Sequence, residues 1–76
     1  MQIGDRIRNV CYGTGTIIYK DDYGSYLVEF DRSNPEFHSG SGRGKDNHCW
    51  WCRGYQLKKE NNEKSIKYYL SKRKGA

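Results

Sequence analysis

The residues best suited to chemistry in this chain are concentrated between positions 38 and 52, where the sequence reads HSGSGRGKDNHCWWC. Arg43 and Lys45 supply two cations within a run rich in glycine and serine. Gly42 and Gly44 flank Arg43 and have no side chain to shield the backbone, so another molecule can approach the main chain closely. Cations beside accessible amides favour an anion. The pattern therefore predicts a binding site for a phosphate or another anionic group.

The GSGRGK segment differs from the phosphate-binding loop of nucleotide hydrolases. That motif requires four residues between its glycines, a Ser or Thr directly after the lysine, and a helix that follows. Here Asp46 follows Lys45, and the next segment is predicted as a strand. Two interpretations stay open: a loop that holds an anion, and a flexible solvated loop that only joins two strands.

Trp50 and Trp51 are adjacent in sequence, and consecutive residues of a strand point to opposite faces of a sheet. One indole is therefore expected in the core and the other at the surface. An exposed tryptophan can stack on a nucleic-acid base or anchor a protein interface. The alternative is that the loop or the C-terminal segment covers the second ring. Both tryptophans and the preceding His48 are included in the candidate ligand-binding set.

Cys49 and Cys52 form a CxxC motif, and with Cys11 and His38 or His48 they could supply four zinc ligands. Two observations weaken this interpretation. A second CxxC is absent from the sequence, and strand residues three positions apart point to opposite faces. Buried or incidental thiols are the alternative. Because neighbouring strand residues also point apart, His48 and Cys49 cannot easily share a proton, and no catalytic residue and no cofactor are predicted.

The elements that must position these residues are predicted mainly as strands. Periodicity and β-branched content predict strands over four segments: residues 5–11, 15–20, 26–31 and 47–52. In the third strand, alternation directs Tyr26, Val28 and Phe30 to one side. A turn is predicted over residues 54–57, with Leu57 as its apolar contact with the core.

Two segments lack strand periodicity. Residues 32–46 contain the only proline, Pro35, and form a long loop, a type of segment that is usually functional or mobile inside a compact domain. In the C-terminal segment, Ile66, Tyr69 and Leu70 follow helical spacing and basic residues end the run, which predicts a short helix. Its basic character could contact nucleic acid, although such tails are often only solvated.

Size and charge limit the class of protein. The 76 residues suffice for one small domain, with a net charge of +5 that is uneven along the chain. Residues 1–31 carry three Lys or Arg against five Asp or Glu, whereas residues 32–76 carry eleven against four. Such polarity suits nucleic acid, a nucleotide or an acidic protein patch, and also serves solubility. An odd number of cysteines and the lack of a signal peptide or long apolar run predict a cytoplasmic protein without membrane contact.

The first half of the chain resembles a known class of small domains. The run GDRIRNVCYGTGTIIYKDDYGSYLVEFD combines Gly4-Asp5 before the first strand, Gly13 and Gly15 around the turn, and an apolar-acidic ending at residues 28–31. In this it resembles the opening strands of SH3-like barrels, most closely the Tudor-like tail of UvrD-type helicases and more loosely Mind bomb-type and KOW-like domains. The later GSGRGKDNHCWWC segment departs from the helicase tail and resembles small proteins carried by phages and mobile elements.

This resemblance implies a mainly β fold, a small SH3-like five-stranded barrel with a short C-terminal α-helix. The barrel would span residues 1–59 with its long loop at 32–46, and residues 60–76 would form the basic helix or tail. SH3-like barrels bind peptides, nucleic acids or modified residues, so the expected function is binding and not catalysis. Three hypotheses follow: a module for nucleic acid or a nucleotide-type ligand, a phage-type inhibitor or adaptor that docks on a host or defence protein, and a zinc-stapled interaction module.

Overall fold

A computed structural model describes residues 1–60 of the chain. The predicted C-terminal helix lies outside these residues. The described part contains five strands and one 3-10 helix: β1 (Arg6–Asn9), β2 (Gly13–Lys20), β3 (Ser25–Phe30), β4 (Cys49–Arg53), the 3-10 helix (Gly54–Gln56) and β5 (Leu57–Lys59). All strand pairs are antiparallel, and they form one sheet in the order β4-β3-β2-β1-β5. No helix within residues 1–60 has the length and apolar character needed to span a membrane.

The long strand β2 joins the two halves of this sheet. Its first half, residues 13–16, pairs with β1, and residues 15–20 pair with β3. The register with β3 shifts between Ile17 and Tyr19, so Ile18 is the extra residue of a β-bulge. The predicted mainly β class is confirmed. The sheet is not closed, because β4 and β5 form its two edges and do not pair with each other.

One face of the sheet, the core face, holds the main hydrophobic cluster. Its members are buried side chains from all five strands and from the loop: Ile7, Ile17, Val28, Phe30, Phe37, Cys52 and Leu57. Tyr26 and Trp50 pack against this cluster. The predicted orientation of Tyr26, Val28 and Phe30 toward one side is therefore confirmed, because alternation along β3 directs these residues to the apolar face.

The side chains of Asn9 and Asp21 shape the turns that connect these strands. Oδ1 of the buried Asn9 accepts hydrogen bonds from the backbone N–H groups of Cys11 and Tyr12, at 2.8 and 3.2 Å. Oδ1 of Asp21 likewise accepts from Tyr23 and Ser25. Such bonds substitute for strand pairing at the point where the chain reverses. They fix the β1–β2 and β2–β3 turns.

Three details differ from the sequence prediction. Leu57 is buried as expected, but it begins the short strand β5 instead of ending a turn. β1 ends at Asn9, and the side chain of Val10 is 95% exposed because the Asn9 turn carries it away from the sheet. Phe37, in a loop predicted to have no regular structure, is 6% exposed and belongs to the core.

Candidate binding surface

The loop over residues 32–46 contributes Phe37 to the core and then folds back, over residues 40–45, onto the face of the sheet opposite the core, the outer face. His38 and Cys49 exchange two backbone hydrogen bonds, at 3.0 and 2.8 Å, which anchor the loop to the edge of β4. Gly40 then lies directly over Leu27, and a Cβ atom at Gly40 would overlap the Leu27 side chain. A Cβ at Gly44 would come within 2.6 Å of Cys49 Sγ. The loop is therefore a close-fitting cover in which two glycines allow backbone-to-side-chain packing.

The backbone amides of this loop are largely occupied by the loop itself. His38 Nδ1 accepts from Gly40 N at 2.8 Å, and Ser39 accepts from Gly42 N through Oγ and from Gly44 N through its carbonyl oxygen. The Glu29 carboxylate accepts from Lys45 N at 2.9 Å. An amide engaged in this way is not available to an anion. Any anion at this loop would meet the side chains of the two cations, and not a set of free amides.

The structure brings Arg43 and Trp51 to the same surface through a residue that the candidate set did not include, Tyr19. The Arg43 guanidinium lies over the Tyr19 ring, 4.1 Å from its centroid. The Tyr19 ring meets the Trp51 indole edge to face, with centroids 6.1 Å apart. Tyr19 and Trp51 both pair with Leu27, on opposite sides of β3, which places the three side chains on one face. We call this arrangement the Arg43–Tyr19–Trp51 row.

The two tryptophans lie on opposite faces, as predicted. Trp50 stacks against Phe37 with a centroid distance of 5.2 Å and an interplanar angle of 24°, and it packs on the core cluster. Trp51 is 38% exposed and Tyr19 is 37% exposed. Trp51 is therefore the indole that another molecule can reach on the outer face.

Lys45 and His48 differ in their surroundings. Lys45 is exposed, and its backbone N–H is held by Glu29. His48 Nδ1 lies 2.7 Å from the carbonyl oxygen of Phe30, so Nδ1 carries a proton and donates it to that oxygen. This bond ties His48 to the end of β3 and not to the Arg43–Tyr19–Trp51 row.

The predicted zinc ligands are separated by the pleat of β4. Cys49 pairs with Glu29 on the outer face, and Cys52 pairs with Tyr26 and belongs to the core. Burial raises the pKa of the Cys49 thiol and raises that of Cys52 to about 11, so both stay protonated at neutral pH. Cys11 is exposed. Within residues 1–60 no group of three His, Cys, Asp or Glu side chains is arranged to hold a metal ion.

An ion pair covers the other half of the outer face, over β1 and β2. Both carboxylate oxygens of Asp31 accept from the Arg6 guanidinium, at 2.8 and 2.6 Å, and Oδ2 also accepts from the Thr14 hydroxyl. The bond to Arg6 holds the pKa of Asp31 below its ordinary value of 3.8. The outer face is thus divided into a loop-covered half and an ion-paired half.

Of the predicted site, the structure groups Arg43, Lys45, Gly42 and Gly44 in the loop and sets Trp51 beside it, whereas Trp50 and His48 face elsewhere. Tyr19 was not predicted, because the bulge at Ile18 reverses the faces to which the following residues of β2 point.

No protein-family model matches this sequence, and neither a curated protein nor a solved structure matches it significantly.

Proposed function

We propose that this protein is a non-catalytic module that binds single-stranded nucleic acid through the Arg43–Tyr19–Trp51 row. The observation that supports this proposal is a spatial arrangement: one cation and two half-exposed aromatic rings lie side by side across one face of the sheet. Proteins that bind single strands without strong sequence preference combine stacking platforms with a basic path for the backbone. The row and the adjacent loop offer both.

In the proposed complex, bases stack on the exposed Trp51 indole, while Arg43 and Lys45 neutralise phosphates. Arg43 already lies against Tyr19, so the ring holds its guanidinium at the surface before a ligand arrives. Arg53, two residues after Trp51, donates from Nη1 to the carbonyl oxygen of Tyr23 at 2.9 Å and extends the basic path along β4. A polymeric ligand suits this open surface better than an enclosed nucleotide does.

Charge alone does not explain such a site, because the described part of the chain is nearly neutral. Residues 1–60 contain nine Lys or Arg and eight Asp or Glu, a net charge of +1, and residues 61–76 contain five against one. The local arrangement of Arg43, Lys45 and Arg53 therefore supports the proposal more than the total charge does. The basic C-terminal segment would add attraction without base contacts.

We also propose that the sheet belongs to the SH3-like barrel class. Two features support this assignment: the order β4-β3-β2-β1-β5, and a β2 strand that serves two strand pairs and carries a bulge at Ile18 within its pairing with β3. Bulges increase local twist and bend, which a small barrel requires.

The test is fluorescence anisotropy of a labelled oligothymidine at several salt concentrations. We expect the slope of log affinity against log salt to lie near −2, because about three phosphates are contacted and each contributes about 0.7. The Arg43→Ala, Lys45→Ala double variant should bind at least about tenfold more weakly, and Trp51→Ala should lose about 1 to 3 kcal/mol of binding free energy. Tyr55→Ala, which removes an 88% exposed ring elsewhere, is the matched control. Unchanged binding by the double variant, or binding insensitive to salt, would refute the proposal.

A second candidate function, an inhibitor or adaptor that docks on a host or defence protein, is favoured by the edge of β4. The backbone groups of Cys49 point outward to His38, and alternation therefore directs those of Trp51 outward as well. A strand from a protein partner could pair there beside the exposed indole. Capture of one protein partner that is lost in Trp51→Ala but kept in the Arg43→Ala, Lys45→Ala variant would favour this function over nucleic-acid binding.

A further inference from the structure

A cleft of about 580 Å³ lies at one end of the sheet, away from the Arg43–Tyr19–Trp51 row. The turn between β1 and β2 forms one wall, and residues 31–34, directly after β3, form the other. Phe37 also lines the cleft and contacts Tyr12. Pockets for small ligands commonly have volumes of about 300 to 1,000 Å³. We call this feature the arginine cleft, after the two arginines that line it, Arg8 and Arg32.

The charges around the arginine cleft leave it attractive to an anion. Arg32 forms no ion pair within residues 1–60, and Arg8 forms a loose one, with 3.6 Å between Nε and Oε1 of Glu60. Asp31 also lines the cleft, but both of its oxygens are already bonded to Arg6. The negative charge of Asp31 is therefore largely compensated, and the two arginines remain to bind a ligand.

The same cleft has an aromatic wall. Tyr12 and Phe37 meet edge to face with centroids 4.9 Å apart, and Tyr12 is 38% exposed. Asn9 fixes the backbone of the turn that carries Tyr12, and the Tyr12 ring packs edge to face against Phe30 and Phe37. A flat ring placed against Tyr12 and Phe37 would gain apolar contact and favourable ring geometry.

We propose that the arginine cleft binds an aryl phosphate, with the aromatic ring against Tyr12 and Phe37 and the phosphate between Arg8 and Arg32. An aryl phosphate has three terminal oxygens and carries nearly two negative charges, so it matches two separate guanidinium groups better than a carboxylate with two oxygens and one charge does. The basic segment over residues 61–76 is an unsuitable occupant, because it would bring five cations against two arginines.

The binding test uses N-acetyl-O-phosphotyrosine amide with the full chain, followed by nuclear magnetic resonance titration. N-acetyltyrosine amide lacks the phosphate, and inorganic phosphate lacks the ring. We expect the phosphorylated compound to bind at least about tenfold more tightly than either, because each of the other two compounds makes only half of the contacts. The same residue within a Gly-Gly-phosphotyrosine-Gly-Gly peptide identifies the source: tighter binding indicates a modified protein, and equal binding indicates a free metabolite-sized ligand.

Two arginine variants locate the site. Arg32→Ala removes a side chain that forms no ion pair within residues 1–60, so the fold should be retained while affinity for the phosphorylated compound falls about tenfold. Arg8→Ala should have a similar effect. Lys20→Ala, an exposed cation at the end of β2 and outside the cleft, is the control and should bind normally.

Selective alkylation of Cys11 tests the site without the removal of a charged side chain. Cys11 lines the arginine cleft and is exposed, whereas Cys49 and Cys52 are buried and the pKa of each of these two thiols is raised. N-ethylmaleimide at neutral pH should therefore modify Cys11, because the thiolate is the reactive form. The adduct should block binding of the phosphorylated compound, and the Cys11→Ser variant should bind it before and after treatment.

Three results would overturn the proposal: equal binding of the phosphorylated and unphosphorylated compounds, normal binding by Arg32→Ala, or no binding at millimolar concentration. A dimer that N-ethylmaleimide dissociates would also overturn it, because the occupant would then be a second copy. Oligothymidine binding should not change after Cys11 alkylation. Failure at the arginine cleft is thus distinguishable from failure at the Arg43–Tyr19–Trp51 row.

Discussion

The two faces of the sheet are filled in opposite ways. On the core face, large side chains meet one another, and Phe30 contacts the rings of Tyr12 and Phe37 at centroid distances of 5.7 and 5.5 Å. On the outer face, Leu27 and Cys49 are equally buried, but glycine backbone covers them. Core packing depends on volume, whereas the outer face depends on the absence of side chains at Gly40 and Gly44. The same burial is therefore reached by two mechanisms, and mutations should separate them.

The largest effect is expected from Phe30→Ala on the core face. Truncation of a buried phenylalanine costs about 3 to 5 kcal/mol. A domain of this length has a total stability of roughly 4 to 11 kcal/mol, so the variant should be largely unfolded or close to it. Urea unfolding followed by circular dichroism measures the change. Leu27→Ala on the outer face is the matched comparison, and a greater loss for Leu27→Ala than for Phe30→Ala would contradict the assignment of the main core to the first face.

The second effect concerns the fit of the loop. Gly40 has φ of 63°, and an added Cβ would overlap Leu27, so Gly40→Ala should cost about 2 to 4 kcal/mol from backbone strain and overpacking together. Gly42 has φ of 85° with nothing within 4 Å, so Gly42→Ala should cost only the backbone part, about 1 to 2 kcal/mol. Free energies of unfolding from urea titrations measure both. If Leu27→Ala fails to reduce the cost of Gly40→Ala in a double-mutant cycle, the loop does not pack as described.

The ion-paired half of the outer face should respond to acid. The Arg6 bond lowers the pKa of Asp31, so the folded state favours the carboxylate, and this contribution is present above the ordinary value of 3.8 and is lost as pH falls below it. A hydrogen bond from the backbone N–H of Gln2 likewise lowers the pKa of Asp5. Asp31→Asn should cost about 0.2 to 1 kcal/mol at pH 7, because the pair is half-exposed.

The same variant should lose less stability than the parent as pH falls below 3.8, the ordinary pKa of an aspartate. Thermal unfolding at several pH values measures this difference. An unchanged acid dependence in Asp31→Asn would mean that the ion pair contributes nothing to folding. Asp22→Asn, an exposed aspartate in the β2–β3 turn, is the control and should keep the parental profile.

An effect as small as that of Asp31→Asn is expected from loss of the Arg43–Tyr19 contact. An exposed cation over an aromatic ring contributes about 0.5 to 1 kcal/mol. Arg43→Ala should therefore destabilise the protein by that amount or less, with Lys20→Ala, an exposed cation at the end of β2, as the control. Amide exchange of the loop measures the local part of the change. A loss far above 1 kcal/mol would make Arg43 a structural residue of the loop and would weaken its proposed role in binding.

The local sequence pattern predicted much of the fold. The four predicted strands are confirmed to within two residues at every end, since β-branched content and period-two alternation are typical of a half-buried sheet. The opposite faces of Trp50 and Trp51 and of Cys49 and Cys52 follow from the same alternation. The strand β5 was missed because its three residues, one apolar and two lysines, are too short to show a period.

The sequence predicted only part of the candidate site. Arg43, Lys45 and Trp51 were identified by residue type, but their link through Tyr19 depends on the bulge at Ile18. The backbone amides expected to face a ligand already donate hydrogen bonds within the protein. His38 and Ser39 accept from them inside the loop, and Glu29 accepts from Lys45 N across from β3. Phe37 could not be assigned to the core, since a single aromatic in an aperiodic loop gives no indication of its face.

The sequence by itself determined the β class, the positions of four of the five strands and the faces of residues in strands without a bulge, because these depend on local backbone preference and on alternation. The tertiary structure decided that the glycine-rich loop is a fitted cover, that Tyr19 joins Arg43 to Trp51, and that Arg8 and Arg32 line one cleft. These arrangements join residues far apart in the chain. Their geometry depends on packing and register, which no local pattern specifies.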